Sequence, residues 1–169
     1  MIQQLIDANV RFLSQASELL DAMDQTTYAR RQQGLSSVGA HLRHIIDHYT
    51  AFAEGAASGQ VDYDDRQRDR QVEEDLLVAI GAVRNTVNAL QSMDVADDAP
   101  LQVKIDDGGP ATPWSTSSVQ RELQFLVSHT VHHFALIKVV LRDTGIPLHE
   151  HFGIAPSTLA YESGPACAP

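Results

Sequence analysis

Six of the eight histidines of this 169-residue chain fall in two stretches, SVGAHLRHIIDHYTAF and RELQFLVSHTVHHFALIKVV. At about 100° per residue, His44 lies about 300° and His48 about 340° round a helix from His41. The three therefore share an arc of about 60°. Val38, Ile45 and Phe52 lie beside that arc, so it borders a buried stripe. In the second stretch His129 and His133 stand at i and i+4, one turn apart on one face. His132 points elsewhere, about 300° from His129. Leu126, Thr130, Ile137 and Leu141 mark the adjacent core face.

An HxxxH pair on a helix offers two imidazoles to one metal, and a third from a facing helix completes a three-nitrogen set. Such a set leaves positions open for water or substrate, the pattern of a catalytic rather than a structural metal. The only cysteine is Cys167, near the end of the sequence. Any metal here is thus held by nitrogen and oxygen, which suits Zn, Ni, Fe or Mn without choosing among them. The competing reading is a hydrogen-bonded histidine network, with Asp47 as a member and no metal. Burying histidine without a partner is costly, so five near one seam need a shared explanation.

Four segments with helical periodicity must position these side chains. The first runs from about Ile2 to Met23, with Leu5, Ile6, Phe12, Leu13, Ala16, Leu19 and Leu20 on its stripe. The second runs from about Ser37 to Ala57 and stops near Gly59. GQVDYDDRQRDR follows without periodicity and reads as a long loop. The third helix runs from about Gln71 to Met93, with Glu73, Glu74 and Asp75 in its first turn, where the dipole favours acids. LQVKIDDGGPATPWST alternates at Leu101, Val103 and Ile105 and carries an Asp107-Gly108 turn signal, which predicts a short β-hairpin-like excursion. Ser117 and Gln120 resemble a capping box opening the fourth helix, which runs to about Thr144 before Gly145 and Pro147 stop it. Helices of roughly 20–26 residues span roughly 30–39 Å. The expected fold is all-α, a four-helix bundle in one domain over residues 1–162, with 163–169 as a flexible tail.

Composition narrows the function. The formal charge of −10, from 12 basic and 22 acidic residues, argues against nucleic acid as a partner. With 43% hydrophobic and 20% charged residues the chain is globular in composition. One cysteine excludes internal disulfides, thiolate zinc sites and CxxC redox chemistry. The start, MIQQLIDANVRFL, has no basic run and carries Asp7, so no signal peptide is expected. Phe125 to Leu141 contains three histidines and Lys138, too polar for a membrane span. The expectation is a cytoplasmic protein with no membrane partner.

SVGAHLRHIIDH, followed much later by FLVSHTVHHFALI, resembles the DinB-like (damage-inducible) superfamily of metal-binding four-helix bundles. The match runs from helix one to about Leu141, and the helix-four motif is its more specific part. The resemblance implies an up-down-down-up bundle with a long crossover between helices two and three, commonly a homodimer, with a three-His divalent-metal site. Characterised relatives include thiol S-transferases that use bacillithiol or mycothiol and a mycothiol-dependent maleylpyruvate isomerase. Many members have no known activity.

Carried over by residue, the resemblance places the helix-two ligand on His44 and the helix-four ligands on His129 and His133. The helical wheel alone puts His41 and His48 nearer the apolar stripe than His44. His48 is therefore the alternate ligand or a partner behind the ligands. His41 stands where many relatives carry an aliphatic residue, a departure that leaves room for an altered site.

The function these readings imply is a metal-dependent thiol S-transferase or a small-molecule hydrolase, with a low-molecular-weight thiol as possible cosubstrate. The alternative is a non-catalytic, small-molecule-binding or stress-related dimeric bundle. Glu122 is a candidate general base near the His129/His133 stripe, set against its dipole-favoured place in a first turn. Asp47 could orient a ligand imidazole. Arg43 and Arg121 could meet an anionic substrate, with surface pairing the default. Tyr49 and Trp114 read as packing residues. His149, His151 and the FGIAPSTLAYE segment receive no role beyond packing over one end of the bundle.

Overall fold

A computed structural model describes residues 1–32, 34–106, 108–109 and 111–164. Cys167 and the rest of 165–169 lie outside the described residues, as does Asp107 of the expected hairpin turn. The chain is mostly helical, with seven helices and a three-stranded sheet among the described residues.

Four helices are long: α1 (Ile2–Asp21), α3 (Val38–Ser58), α5 (Leu76–Gln91) and α6 (Val119–Leu141). Three are short: α2 (Gln25–Ala29), α4 (Arg70–Glu74) and α7 (Pro156–Ser163). Both α1 and α3 pack against α5 and α6. The four long helices therefore close into a ring, with α1 and α3 on opposite sides.

The core between them includes Leu13, Leu20, Leu42, Ile45, Phe52, Leu90, Leu126 and Phe134, all essentially inaccessible. A polar knot sits within it. Asn9 is fully buried and donates to the carbonyls of Leu5 and Leu123, at 2.8 and 3.1 Å. Tyr49 donates to Asn9 Oδ1 at 2.7 Å and meets the Thr130 hydroxyl at 3.2 Å. Each polar atom thus offsets another's desolvation, and three helices are fixed in rotation about their axes.

The boundaries of α3 follow its local chemistry. Ser37 Oγ accepts from the amide of Ala40 as N-cap, and Gly59 ends the helix in the left-handed region at φ 81°. Gly39 permits a close approach of two elements, since a Cβ there would lie 2.0 Å from the Glu73 carbonyl oxygen. That contact seats α4 on the first turn of α3.

Several expectations are corrected. The third helix is two helices: Asp75 takes an extended conformation between them and caps α5, accepting from Leu77 and Val78. An acid in a first turn is favourable, but an aspartate side chain that bonds the next free amides ends one helix and starts another. The N-cap of α6 is Ser118, which accepts from Arg121, rather than Ser117. The first and fourth helices end at Asp21 and Leu141, before Met23 and Thr144.

The stretch read as a featureless loop contains β1 (Gln60–Asp62). Val61 and Tyr63 are buried there with Asp62 between them, a two-residue alternation too short to register as periodicity. β1 pairs in parallel with β2 (Pro100–Lys104), which pairs antiparallel with β3 (Ser115–Ser118), so the excursion joins a sheet.

The segment after α6 packs on the bundle through Phe152, which is buried and stacked on Phe134 at 4.2 Å. Gly153, at φ 71°, lets its backbone pass Ala135, whose amide nitrogen a Cβ would meet at 2.7 Å. By length and composition α6 could cross a membrane. Its buried side chains, Leu123, Leu126, Phe134 and Ile137 among them, belong to the bundle core.

Candidate metal centre

The histidine faces of α3 and α6 meet. Ligand atoms of His44, His48 and His129 all lie within 4.8 Å of one another. The ring centroids are 4.4 Å apart for His44 and His48, 4.2 Å for His48 and His129, and 5.0 Å for His44 and His129. His48 is buried and the other two are partly so.

Hydrogen bonds fix which nitrogens are available. His48 Nδ1 lies 2.8 Å from the carbonyl of His44. A carbonyl only accepts, so Nδ1 carries the hydrogen and Nε2 of the neutral ring carries the lone pair. His129 Nε2 is buried and has no hydrogen-bond partner among the described residues. A buried polar atom left without a partner is uncommon and calls for an unseen group.

Electrostatics keep the three rings neutral. Burial, with the neighbouring imidazole of His129, pushes His44 down to about 4. Burial pushes His48 down to about 3 and His129 to about 4. Neutral imidazole is the metal-binding form. The donor set is all nitrogen, partly to fully buried and unprotonated at neutral pH, and it fits a divalent metal of the imidazole-binding kind.

His133 adjoins this group, with its ring centroid 4.6 Å from those of both His44 and His129. Its Nδ1 faces His41 Nδ1 at 3.0 Å, so one of the two rings donates to the other. The structure therefore brings together every histidine singled out on the two faces. Of the four, His48 rather than His133 completes the tightest three. His132 is exposed beside His133, and His149 and His151 lie in the segment after α6.

The walls are aromatic and tied down. Tyr63 stacks on His48 at 5.3 Å, and Phe125 on His129 at 5.4 Å. The Tyr63 hydroxyl donates to Glu122 Oε2 at 2.9 Å, and Ser117 Oγ donates to Glu122 Oε1. Glu122 is thus buried with both oxygens engaged, holding the β1 end and the start of α6 together. Both oxygens of the candidate base are thus engaged by hydroxyl donors. Asp47 pairs with Arg43 at 2.7 Å rather than with an imidazole, and Arg43 also meets Glu73 at 3.0 Å. Burial raises the Asp47 carboxyl while Arg43 opposes the rise.

Two contributors went unmarked in the sequence, Tyr63 and Arg66. Arg66 Nη1 lies 3.2 Å from His48 Nε2 and also donates to the Tyr63 carbonyl. The alternation of Val61 and Tyr63 was the one signal that could have drawn attention to this segment.

Comparison with known proteins now decides the family. The DinB superfamily model matches residues 10–137, a span that includes α3, the sheet and all five clustered histidines. The chain belongs to the DinB superfamily. It is also 31% identical over 104 residues to FK506-binding protein 5 of Rhizopus delemar, a match covering 60% of this chain. The match spans about a quarter (27%) of that curated relative. No solved structure matches.

Proposed function

We propose that this DinB-superfamily chain binds one divalent metal through His44, His48 and His129, with His133 alongside. The observation that carries the reading is the convergence of three imidazoles from two helices, one of them with a buried nitrogen lacking a partner. The metal would act as a Lewis acid that lowers the pKa of a bound thiol or water. The reaction class proposed is thiol S-transfer, or hydrolysis of a small molecule. The chain's own part is to present neutral imidazoles, to cover them with Tyr63 and Phe125, and to tie Tyr63 to the start of α6 through Glu122. A thiol would come from a low-molecular-weight cosubstrate.

The engagement of Glu122 by Tyr63 and Ser117 supports a second reading, a bundle that binds a metal and a small molecule without turnover. Metal analysis of tag-free protein beside the H44A/H48A/H129A variant tests the centre. One equivalent in the parent and none in the variant is expected; equal, sub-stoichiometric metal in both rejects it. Turnover of a thiol with an electrophilic probe, lost in the variant, separates the two readings. The homodimeric state that the family resemblance suggests and the cytoplasmic setting expected from the sequence belong to this proposal as well.

A further inference from the structure

His48 Nε2 has one lone pair, and Arg66 already holds it, with Nη1 at 3.2 Å. A guanidinium hydrogen and a metal ion cannot share that lone pair, and two cations side by side repel. Resting on the reading of His44, His48 and His129 as ligands, we propose that Arg66 is a latch on the metal centre. It occupies His48 while no ion is bound. An ion enters only by releasing the guanidinium into the neighbouring groove between α3 and α5.

Arg66 is built to let go. Among the described residues no carboxylate pairs with it, and its Nε is buried without a partner. Its ties are the imidazole and the Tyr63 carbonyl. Arginine in a structural role is usually held by a carboxylate fork, a far stronger grip. A place to go is ready. A groove of about 360 Å³ has Arg66 in its wall beside Asp47, Asp65 and Asp69, with Ile46 and Val72 as apolar lining. The acids attract the released cation. The backbone need not follow, because Tyr63 stays stacked on His48 and bonded to Glu122. Metal occupancy and the shape of the groove thus form one equilibrium, and the apparent metal affinity is reduced by the latched fraction.

Zinc alone is the probe, titrated against a chromophoric chelator with the parent, Arg66→Met, and both again in a His48→Ala background. Arg66→Met removes the donor and keeps most of the stem. It should tighten zinc binding about 10- to 150-fold, the worth of one charge-assisted hydrogen bond. The gain should vanish in the His48→Ala background, and Arg68→Met should give none. A gain that persists without His48 is general charge relief and overturns the latch. Equal or weaker zinc binding by Arg66→Met also overturns it while leaving the centre intact. No zinc uptake by the parent removes the centre and the latch together. Arg66→Leu, which likewise lacks both charge and donor, replaces Arg66→Met should that variant fail to fold, and the same gain is expected.

Discussion

His48 gives its Nδ1 hydrogen to the carbonyl of His44, one helical turn earlier, at 2.8 Å. One candidate ligand thereby sets the tautomer of the next. The backbone of α3 acts as the orienting partner that metal-bound histidines ordinarily find in a carboxylate or carbonyl.

This arrangement ranks the histidines. Replacing His44, His48 or His129 with Ala should weaken zinc binding more than about 100-fold, beyond the usual effect of losing a mere orienting partner. His133→Ala should cost about 10-fold or less. Competition titration reads both. A reversed order for His48 and His133 would make His133 the third ligand.

Acid should destabilise the metal-free protein. Above about pH 6.5 His48 is neutral in both folded and unfolded chains. Below it, the unfolded chain takes up a proton that the folded ring, held near 3, refuses. Stability therefore rises with pH across this window and is lost on acidification. His48 alone contributes up to about 3 kcal/mol between pH 6.5 and 4. His44 and His129 act in the same direction down to about 4. Urea unfolding at several pH values should show the slope, and His48→Gln should flatten it. An unchanged slope in that variant contradicts the assignment.

Tyr63→Phe should cost about 1–3 kcal/mol, because it strips a donor from a buried carboxylate. The loss would show as a lower urea midpoint with an unchanged slope. Zinc binding should change little, since the phenyl ring keeps the stack on His48. A neutral substitution would mean that Glu122 does not need the phenol.

Gly39→Ala should destabilise by about 2 kcal/mol or more, as its Cβ meets a backbone oxygen rather than a flexible side chain. Gly81→Ala, in α5, meets nothing and serves as the contrast, expected to be neutral or stabilising. Thermal melts of the two variants measure the difference.

Much of this site was legible because helical spacing is rigid. His41, His44 and His48 could only share a face, and so could His129 and His133. The wheel also ranked His48 nearer the core than His44, and His48 is indeed the more buried. The family motif pointed instead to His44, and both lie in the cluster. Other features depend on contacts that spacing does not encode. Whether His133 turns to the group or to His41 is settled by which rings meet across two helices. Arg66 and Tyr63 arrive from a segment whose only pattern is two apolar residues. Asp75 reads as a first-turn acid until its side chain is seen capping a second helix.

The sheet follows α3 after a single residue, Gly59, and runs into α6 with none between. Its middle strand joins the other two. The end of α3 and the start of α6 are thus held at a separation that strand spacing sets, a length that hydrogen-bond geometry holds nearly constant. Through Tyr63, the residue after β1 and stacked on His48, the sheet also reaches the histidine cluster itself.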